Sequence, residues 1–418
     1  MNKDINIKNV IFYSVFFLIT IIVLDLFFEP SVYFKFNFLN SFLQKITVSQ
    51  SIAPQRLFIN IWRITKNEYV DETLNNQEWL RWKLRYQKRI KTQEDAEIAI
   101  NTMLASLNDP YTKFLKSGAY SKQKLIIDSK ITGVGLLFDK TDNNIVVNRV
   151  LDNSPAKEAN IMPGDAIISL NGKSTENSDL SDLISAVESD KTDKVTVVIK
   201  RNDKLIEKEL KKQEIYIKTM DYRITDDNIG IITISNIMGE KAPEDFREII
   251  LKTNDTAGLI IDLRNNYGGI LANSIQMADF MQNTDKLISI ESRANTKYQI
   301  YADGQKIFRD KPVIILINKY TASAAEIFAG ILRDNLNAVL IGENSFGKNS
   351  IQQVIPLYNG TGLIISTDKY ILPNGEDIKA KGLTPTYEIK QNYTATLKND
   401  KQMKKAVELI TRLMKKEN

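Results

Sequence analysis

The sequence predicts an α/β multidomain protein: a helical amino-terminal region, a small partly open β-barrel, an α/β layer with parallel strands, and a carboxy-terminal helix. Three observations carry this. Apolar residues recur at helical spacing between about 50 and 128; short β-like runs crowd residues 129–214; and buried strands alternate with amphipathic helices over 215–390, before a last helical stripe in 391–418. At 43% hydrophobic and 26% charged over 418 residues, the chain can fill two or three cores, which excludes disordered and collagenous classes.

Residues 1–30 form a separate segment. After Lys3 and Lys8, Val10–Leu24 runs fifteen residues without a charge, followed by Asp25 and then Leu26, Phe27 and Phe28. This is a signal peptide or an uncleaved membrane anchor, with a buried helix of the soluble fold as the bland alternative. No small-residue cleavage site follows, so the anchor is preferred. The lysines before it place the amino end in the cytoplasm, and the remainder then faces the periplasm or cell exterior from an inner or cytoplasmic membrane.

In the helical region, LFINIWRI follows Pro54, and Ile98, Ile100, Met103, Leu104 and Leu107 fit a helical repeat that LNDPYTKFL (107–115) breaks at Asp109 and Pro110. The β-rich region offers GVGLLF (133–138), NIVVNRVL (144–151), DAIISLNG (165–172) and KVTVVIK (194–200), with one amphipathic helix at Ser178–Ser189. In the α/β layer, strands are expected at Gly230–Ser235, Ala257–Leu263, Pro312–Asn318 and Ala338–Glu343. Helices follow at 243–252, Asn273–Met281 and Ser323–Asp334, and Ile351–Leu357 reads extended. In the last helix Met403, Val407, Ile410 and Met414 share a stripe; its lysines read as a solvated face, and a net charge of +5 gives no reason to invoke nucleic acid.

The absences narrow the chemistry. Without histidine no Ser-His-Asp arrangement exists, and without cysteine neither thiol catalysis nor disulfides do. Hydrolysis would have to run on hydroxyl, carboxylate or lysine groups. Reactive sites of α/β layers lie beyond the carboxyl ends of strands, where three turns qualify: Asp262–Leu271 with Gly268 and Gly269, Ile317–Phe328 with Ser323 at a helix start, and Ile341–Gln352 with Lys348. Gly342, Gly347 and Lys348 imitate a phosphate-binding loop. Asn349 replaces its Ser or Thr, however, and an extended run follows where a helix should open. Together the turns can form an acyl-transfer site: Ser323 as nucleophile, Lys348 as general base once burial favours its neutral amine, and amides of Gly268 or Gly269 with Ala324 as oxyanion donors. Taken singly, the same residues read as an N-cap, a solvated lysine and a turn.

In order over about Asn60 to Met414, the motifs resemble the carboxy-terminal processing (tail-specific) proteases, a serine–lysine peptidase family with a PDZ domain. LNDPYTKFL resembles its L-D-P-[YH]-[ST] segment, and GVGLLF with SPAKEANIMPGDAIISLNG resembles its PDZ domain. DLRNNYGG, TASAAEIFAG and GENSFGKNSIQ resemble its oxyanion turn, nucleophile and lysine segments, and Ser323 and Lys348 keep its spacing of 25. The resemblance implies a PDZ domain over 129–214, a protease core over 215–390, and Gln352 as the group orienting Lys348. It implies Glu326 and Asp334 as supporting acids, and amides of Val134, Gly135 and Leu136 holding a peptide's terminal carboxylate. It departs at Tyr267 for proline, Asn349 for glycine, Ala325 for serine and Pro385-Thr386 for Pro-Asp.

The expected function is a membrane-anchored serine endopeptidase cleaving proteins near their carboxyl termini, without cofactor, metal or nucleotide. Its partners would be substrate tails, the membrane and, given helical flanks at both ends, a second copy of itself. The alternative is a degenerate scaffold that binds tails without cutting.

Overall fold

Pro54 suits the first turn of a helix, where its fixed φ is already correct and its missing N–H is not needed. The structure, a computed structural model, describes residues 53–417 apart from 142–143, 177–186, 188–192, 284 and 392–398. The expected anchor Val10–Leu24 lies outside the described residues; among those described, no helix is long and apolar enough to cross a membrane.

The amino-terminal unit contains α1 (Pro54–Glu68), α2 (Leu80–Tyr86) and α3 (Gln93–Ala105). Leu57, Phe58, Ile61, Trp62 and Thr65 bury one face of α1. Thr92 and Asp95 form a reciprocal capping box that starts α3. Ile98 departs from the expected stripe and is 57% exposed, because it projects about 200° round the helix from the buried Ala96 and Ile100. The unit is also not wholly helical. Before α4 (Ser117–Ile127), β1 (Lys113–Leu115) pairs antiparallel with a strand of the core, which stitches the unit to it.

The β-rich unit contains β2 (Lys130–Gly133), β3 (Leu136–Thr141), β4 (Asn144–Val150), α5 (Pro155–Glu158), β5 (Ala166–Leu170), β6 (Lys173–Ser174), β7 (Lys194–Arg201), β8 (Lys204–Lys211) and β9 (Gln213–Tyr216). The run read as one strand at 133–138 is divided by Val134 and Gly135. β3 is then the edge of a sheet ordered β3-β4-β5-β7-β8, filled by Ile145, Val147, Ile167, Val195, Val197 and Ile199. β2 and β9 pair as a separate two-stranded ribbon at the entry and exit of the unit. Apart from Val187, the helix expected at Ser178–Ser189 lies outside the described residues.

The core carries β10 (Met220–Ile224), β11 (Ile229–Ile234), α6 (Ala242–Thr253), β12 (Gly258–Asp262), α7 (Leu271–Asp279), β13 (Lys286–Ser292), β14 (Lys297–Tyr301), β15 (Val313–Ile317), α8 (Ala324–Leu336), β16 (Val339–Gly342), β17 (Ser350–Pro356), β18 (Gly362–Ile371), β19 (Tyr387–Glu388) and α9 (Lys401–Glu417). One sheet runs β10-β11-β12-β15-β16-β19, parallel from β11 to β19. Its central strands β12 and β15 are buried at every position because both faces are covered, whereas the edge strands β10 and β19 are largely exposed. Ile232, Ile261, Ile315 and Leu340 join the cluster of α6, α7 and α8, while Ile231, Ile260, Ile314 and Ile341 pack on Met403, Ala406 and Ile410 of α9. Lys401 and Lys404 are exposed. In the second sheet β1, β13 and β17 pair antiparallel with β18, and β14 lies beyond β13. β17 is thus a strand, as its extended reading required, and the phosphate-loop alternative lacks its helix.

Candidate active site

β12, β15 and β16 are adjacent and parallel, so the turns after them emerge together at one end of the sheet. Buried asparagine and threonine side chains lace these turns. Asn318 Oδ1 accepts from Asn265 N–H (3.0 Å) and Tyr320 N–H (3.1 Å); the Thr321 hydroxyl donates to Leu263 O (2.9 Å), Ala322 N–H to Asn266 O (2.9 Å), and Phe346 N–H to Thr321 O (2.9 Å).

Within this lacing Ser323 has φ 55 and ψ −122, a conformation that favours glycine. Holding a serine there costs on the order of 1–3 kcal/mol and persists only where neighbours over-determine it. Its hydroxyl is half-buried at the start of α8, where Ala324 N–H has no helical acceptor and the helix end carries partial positive charge.

Gly268 (φ 97) approaches from the β12 turn. A Cβ there would stand 2.6 Å from Ala322 O and 2.9 Å from both Ala324 N and Ser323 Cβ, so only glycine leaves the space open. Gly268 N–H donates to Asn266 Oδ1 (2.8 Å), and Gly269 bridges to Ile237, whose N–H donates to Gly268 O (2.9 Å). Among the described residues no acceptor takes the N–H of Gly269 or Ala324. Two donors therefore remain free, one on Ala324 directly after the serine and one on the glycine that follows Gly268.

Glu326, one turn into α8, is fully buried and joins the second and third turns. Its carboxylate accepts from Ser323 N–H (2.8 Å), the Ser345 hydroxyl (2.5 Å), Gly347 N–H (2.6 Å) and Lys348 N–H (3.0 Å). Burial raises its pKa above the usual glutamate range, against the pull of these four donors. Gly347 (φ 85) lets the loop lie on the 378–382 turn, where a Cβ would stand 2.7 Å from Gly382 N. Asn349 is buried and donates to Asp377 Oδ1 (2.8 Å), and Tyr370 hydroxyl donates to Lys348 O (2.7 Å).

Lys348 is half-buried, and burial lowers its pKa from the ordinary lysine value; Asp109 and Glu326 pull it back up while Lys113 pushes it down. Its Nζ lies 4.6 Å from the Tyr111 ring centroid, at the wall of a cavity of ≈ 910 Å³. No hydrogen bond joins Lys348 Nζ to Ser323 Oγ or to Gln352. The Gln352 amide instead donates to Ser350 Oγ (2.8 Å) and Ser366 Oγ (3.1 Å). Asp334 lies eleven residues beyond Ser323, about 16 Å along α8, where it accepts from Arg333 and Asn374. It braces the far end of the helix.

Residue reasoning alone passed over Asn266, Asn318, Asp109 and Tyr111. The last two sit in the LNDPYTKFL segment, and that motif was their only signal. Tyr267 is 68% exposed with its ring 5.9 Å from Tyr320, so the departure from proline adds an aromatic surface beside the glycine pair. In the β-rich unit Val134 O and Gly135 O accept from Ala156 and Leu151, and Leu136 begins the edge strand β3.

The sequence model of peptidase family S41 matches residues 228–389, and that of the PDZ domain matches 133–211. A carboxyl-terminal-processing protease of Synechocystis sp. is 30% identical over 371 residues, covering 85% of this chain and 87% of the relative. The chain belongs to the carboxyl-terminal-processing protease family. A second relative in this family, the chloroplastic carboxyl-terminal-processing peptidase 2 of Arabidopsis thaliana, is 29% identical and covers 81% of the chain and 69% of the relative. Among solved structures, the photosystem II D1 C-terminal processing protease aligns at TM-score 0.54 and 27% identity over 84% of this chain and 96% of its own. The tail-specific protease architecture of a PDZ domain on a mixed α/β core is therefore that of this molecule.

Proposed function

We propose that the chain is a serine endopeptidase that cuts proteins near their carboxyl termini, with Ser323 as nucleophile and Lys348 as general base. The observation that carries the reading is the convergence of Ser323, two free amides and the Lys348 loop, bolted together by buried Glu326. Ser323 Oγ attacks the peptide carbonyl while neutral Lys348 takes its proton. The tetrahedral oxyanion is met by Gly269 and Ala324 N–H, with Gly268 supplying the space. Collapse breaks the C–N bond, Lys348 returns the proton to the leaving amine, and water releases the acyl group by the same route. Gln352 orients the amine once Lys348 swings toward Ser323, and the PDZ domain takes the substrate tail along β3 with the terminal carboxylate at Val134, Gly135 and Leu136. Val10–Leu24 anchors this machinery on the outer side of the membrane.

Replacing Ser323→Ala or Lys348→Arg lowers cleavage of a peptide with an apolar tail by more than about 10³-fold, the latter because guanidinium does not deprotonate. Full activity in either variant rejects the dyad. The scaffold alternative draws support from Lys348 lying on Tyr111 rather than on Ser323. Native protein that binds tails yet neither turns over nor accepts a fluorophosphonate at Ser323 would establish it.

A further inference from the structure

The Asp109–Thr112 turn takes no part in that acyl-transfer scheme, yet it forms one wall of the cavity that Lys348 enters. It is built to be rigid. Asp109 Oδ1 accepts from Tyr111 N–H (2.9 Å) and Oδ2 from the Thr112 hydroxyl (2.7 Å), while Thr112 Oγ1 accepts from Ser366 N–H of β18 (3.0 Å). The turn therefore presents a fixed carboxylate and a fixed aromatic face, and Lys348 Nζ lies 4.6 Å from that ring's centroid.

Both attractions act on one protonation state only. A ring face and a carboxylate draw an ammonium and have little hold on a neutral amine. Ser323, in contrast, has use only for the neutral amine. Resting on the Ser323/Lys348 reading, we propose that the Asp109–Tyr111 turn is the seat of protonated Lys348, a positioning device that holds the ammonium off Ser323 and frees it when the proton leaves.

The other charged groups around Lys348 do not substitute for this seat. Glu326 of α8 also favours the ammonium, but less than Asp109 does, and Lys113 of β1 opposes the charge. Asp71, Glu72, Glu291, Lys369 and Lys379 line the same cavity with mixed sign. Tyr69 also faces it and stays protonated, because burial and Asp109 raise its pKa.

The sign of the effect follows. Asp109 raises the Lys348 pKa, so removing its charge leaves more neutral amine at a given pH. The test is the pH profile of kcat/KM on a tailed peptide, using the full chain. Asp109→Asn moves the acidic limb down by about one unit, with activity below the limb rising about tenfold. Tyr111→Leu moves it the same way by about half a unit, and Tyr111→Phe, which keeps the ring, retains the native limb. Should Asp109→Asn fail to fold, the two Tyr111 variants carry the test alone. A uniform loss of activity with the limb unmoved in both Asp109→Asn and Tyr111→Leu means the turn is merely structural and overturns the proposal, as does a limb displaced to higher pH. Retained activity in Lys348→Ala is a different outcome, which removes the dyad reading itself.

Discussion

At Ser323 the backbone keeps a conformation that an isolated chain would avoid, and the groups that enforce it are also those that place the lysine loop. Glu326 is the shared member, since one oxygen holds Ser345 and Gly347 while the other holds Ser323 and Lys348. Glu326→Gln puts an NH₂ group against two donors. It lowers kcat/KM by about 10²-fold through misplacement of the serine and lysine, and steady-state kinetics on a soluble peptide measure this. Asn349, where the resembled motif has glycine, ties the lysine loop to Asp377 through its side-chain amide. Asn349→Gly therefore destabilises the fold by about 1–2 kcal/mol in urea titrations. Ser323, Lys348 and the Gly268–Gly269 pair were legible as candidates because a chain without histidine or cysteine leaves few groups for hydrolysis and because they lie in motifs with the family's spacing, not because such residues are unusual in turns. The asparagine lacing was not, because a buried amide differs from a solvated one only in its tertiary partners.

Among the elements, strands buried on both faces declared themselves as unbroken apolar runs, and α9 as a stripe with a solvated lysine face. β14 escaped sequence reading because it is an exposed edge without alternation, and β1 because three residues have no period. The attachment of α9 was equally hidden. Arg264, in the turn after β12, gives Nε and Nη2 to Asp262 (2.8 and 2.6 Å), Nη1 and Nη2 to Asp400 (3.0 and 2.8 Å), and Nη1 to Gln402 (3.0 Å). Lysine lacks this fork, so Arg264→Lys destabilises the protein by about 3 kcal/mol in chemical denaturation, leaving two buried carboxylates incompletely paired. Burial alone would raise the Asp400 pKa, but Arg264, Met403 N–H and Gln391 hold it below the usual range. Its contribution to stability is present above the ordinary carboxyl pKa near 4 and is lost as pH falls through the lowered value. Acid unfolding monitored by circular dichroism reads this loss, and Asp400→Asn removes that part of the pH dependence.

For the whole molecule, the question is what the PDZ domain contributes to cutting. The domain is joined to the rest through the β2–β9 ribbon, whose Tyr216 hydroxyl donates to Asp245 of α6 (2.8 Å). Its edge strand β3 is distant in sequence from the Ser323 turn. A tail held by its terminal carboxylate adds affinity through charge-assisted hydrogen bonds, each about 1.5–3 kcal/mol, so amidating the substrate's carboxyl end raises KM roughly tenfold or more. If the domain only recruits, kcat is unchanged, since the groups around Ser323 are the same with or without a tail. If occupation of β3 also reorganises the catalytic turns, kcat falls with the amidated peptide, and adding a free-acid tail peptide in trans restores it. Side-by-side kinetics of free-acid and amidated peptides therefore separate recruitment from gating, and an unchanged KM for the amidated substrate removes the carboxylate site from Val134, Gly135 and Leu136.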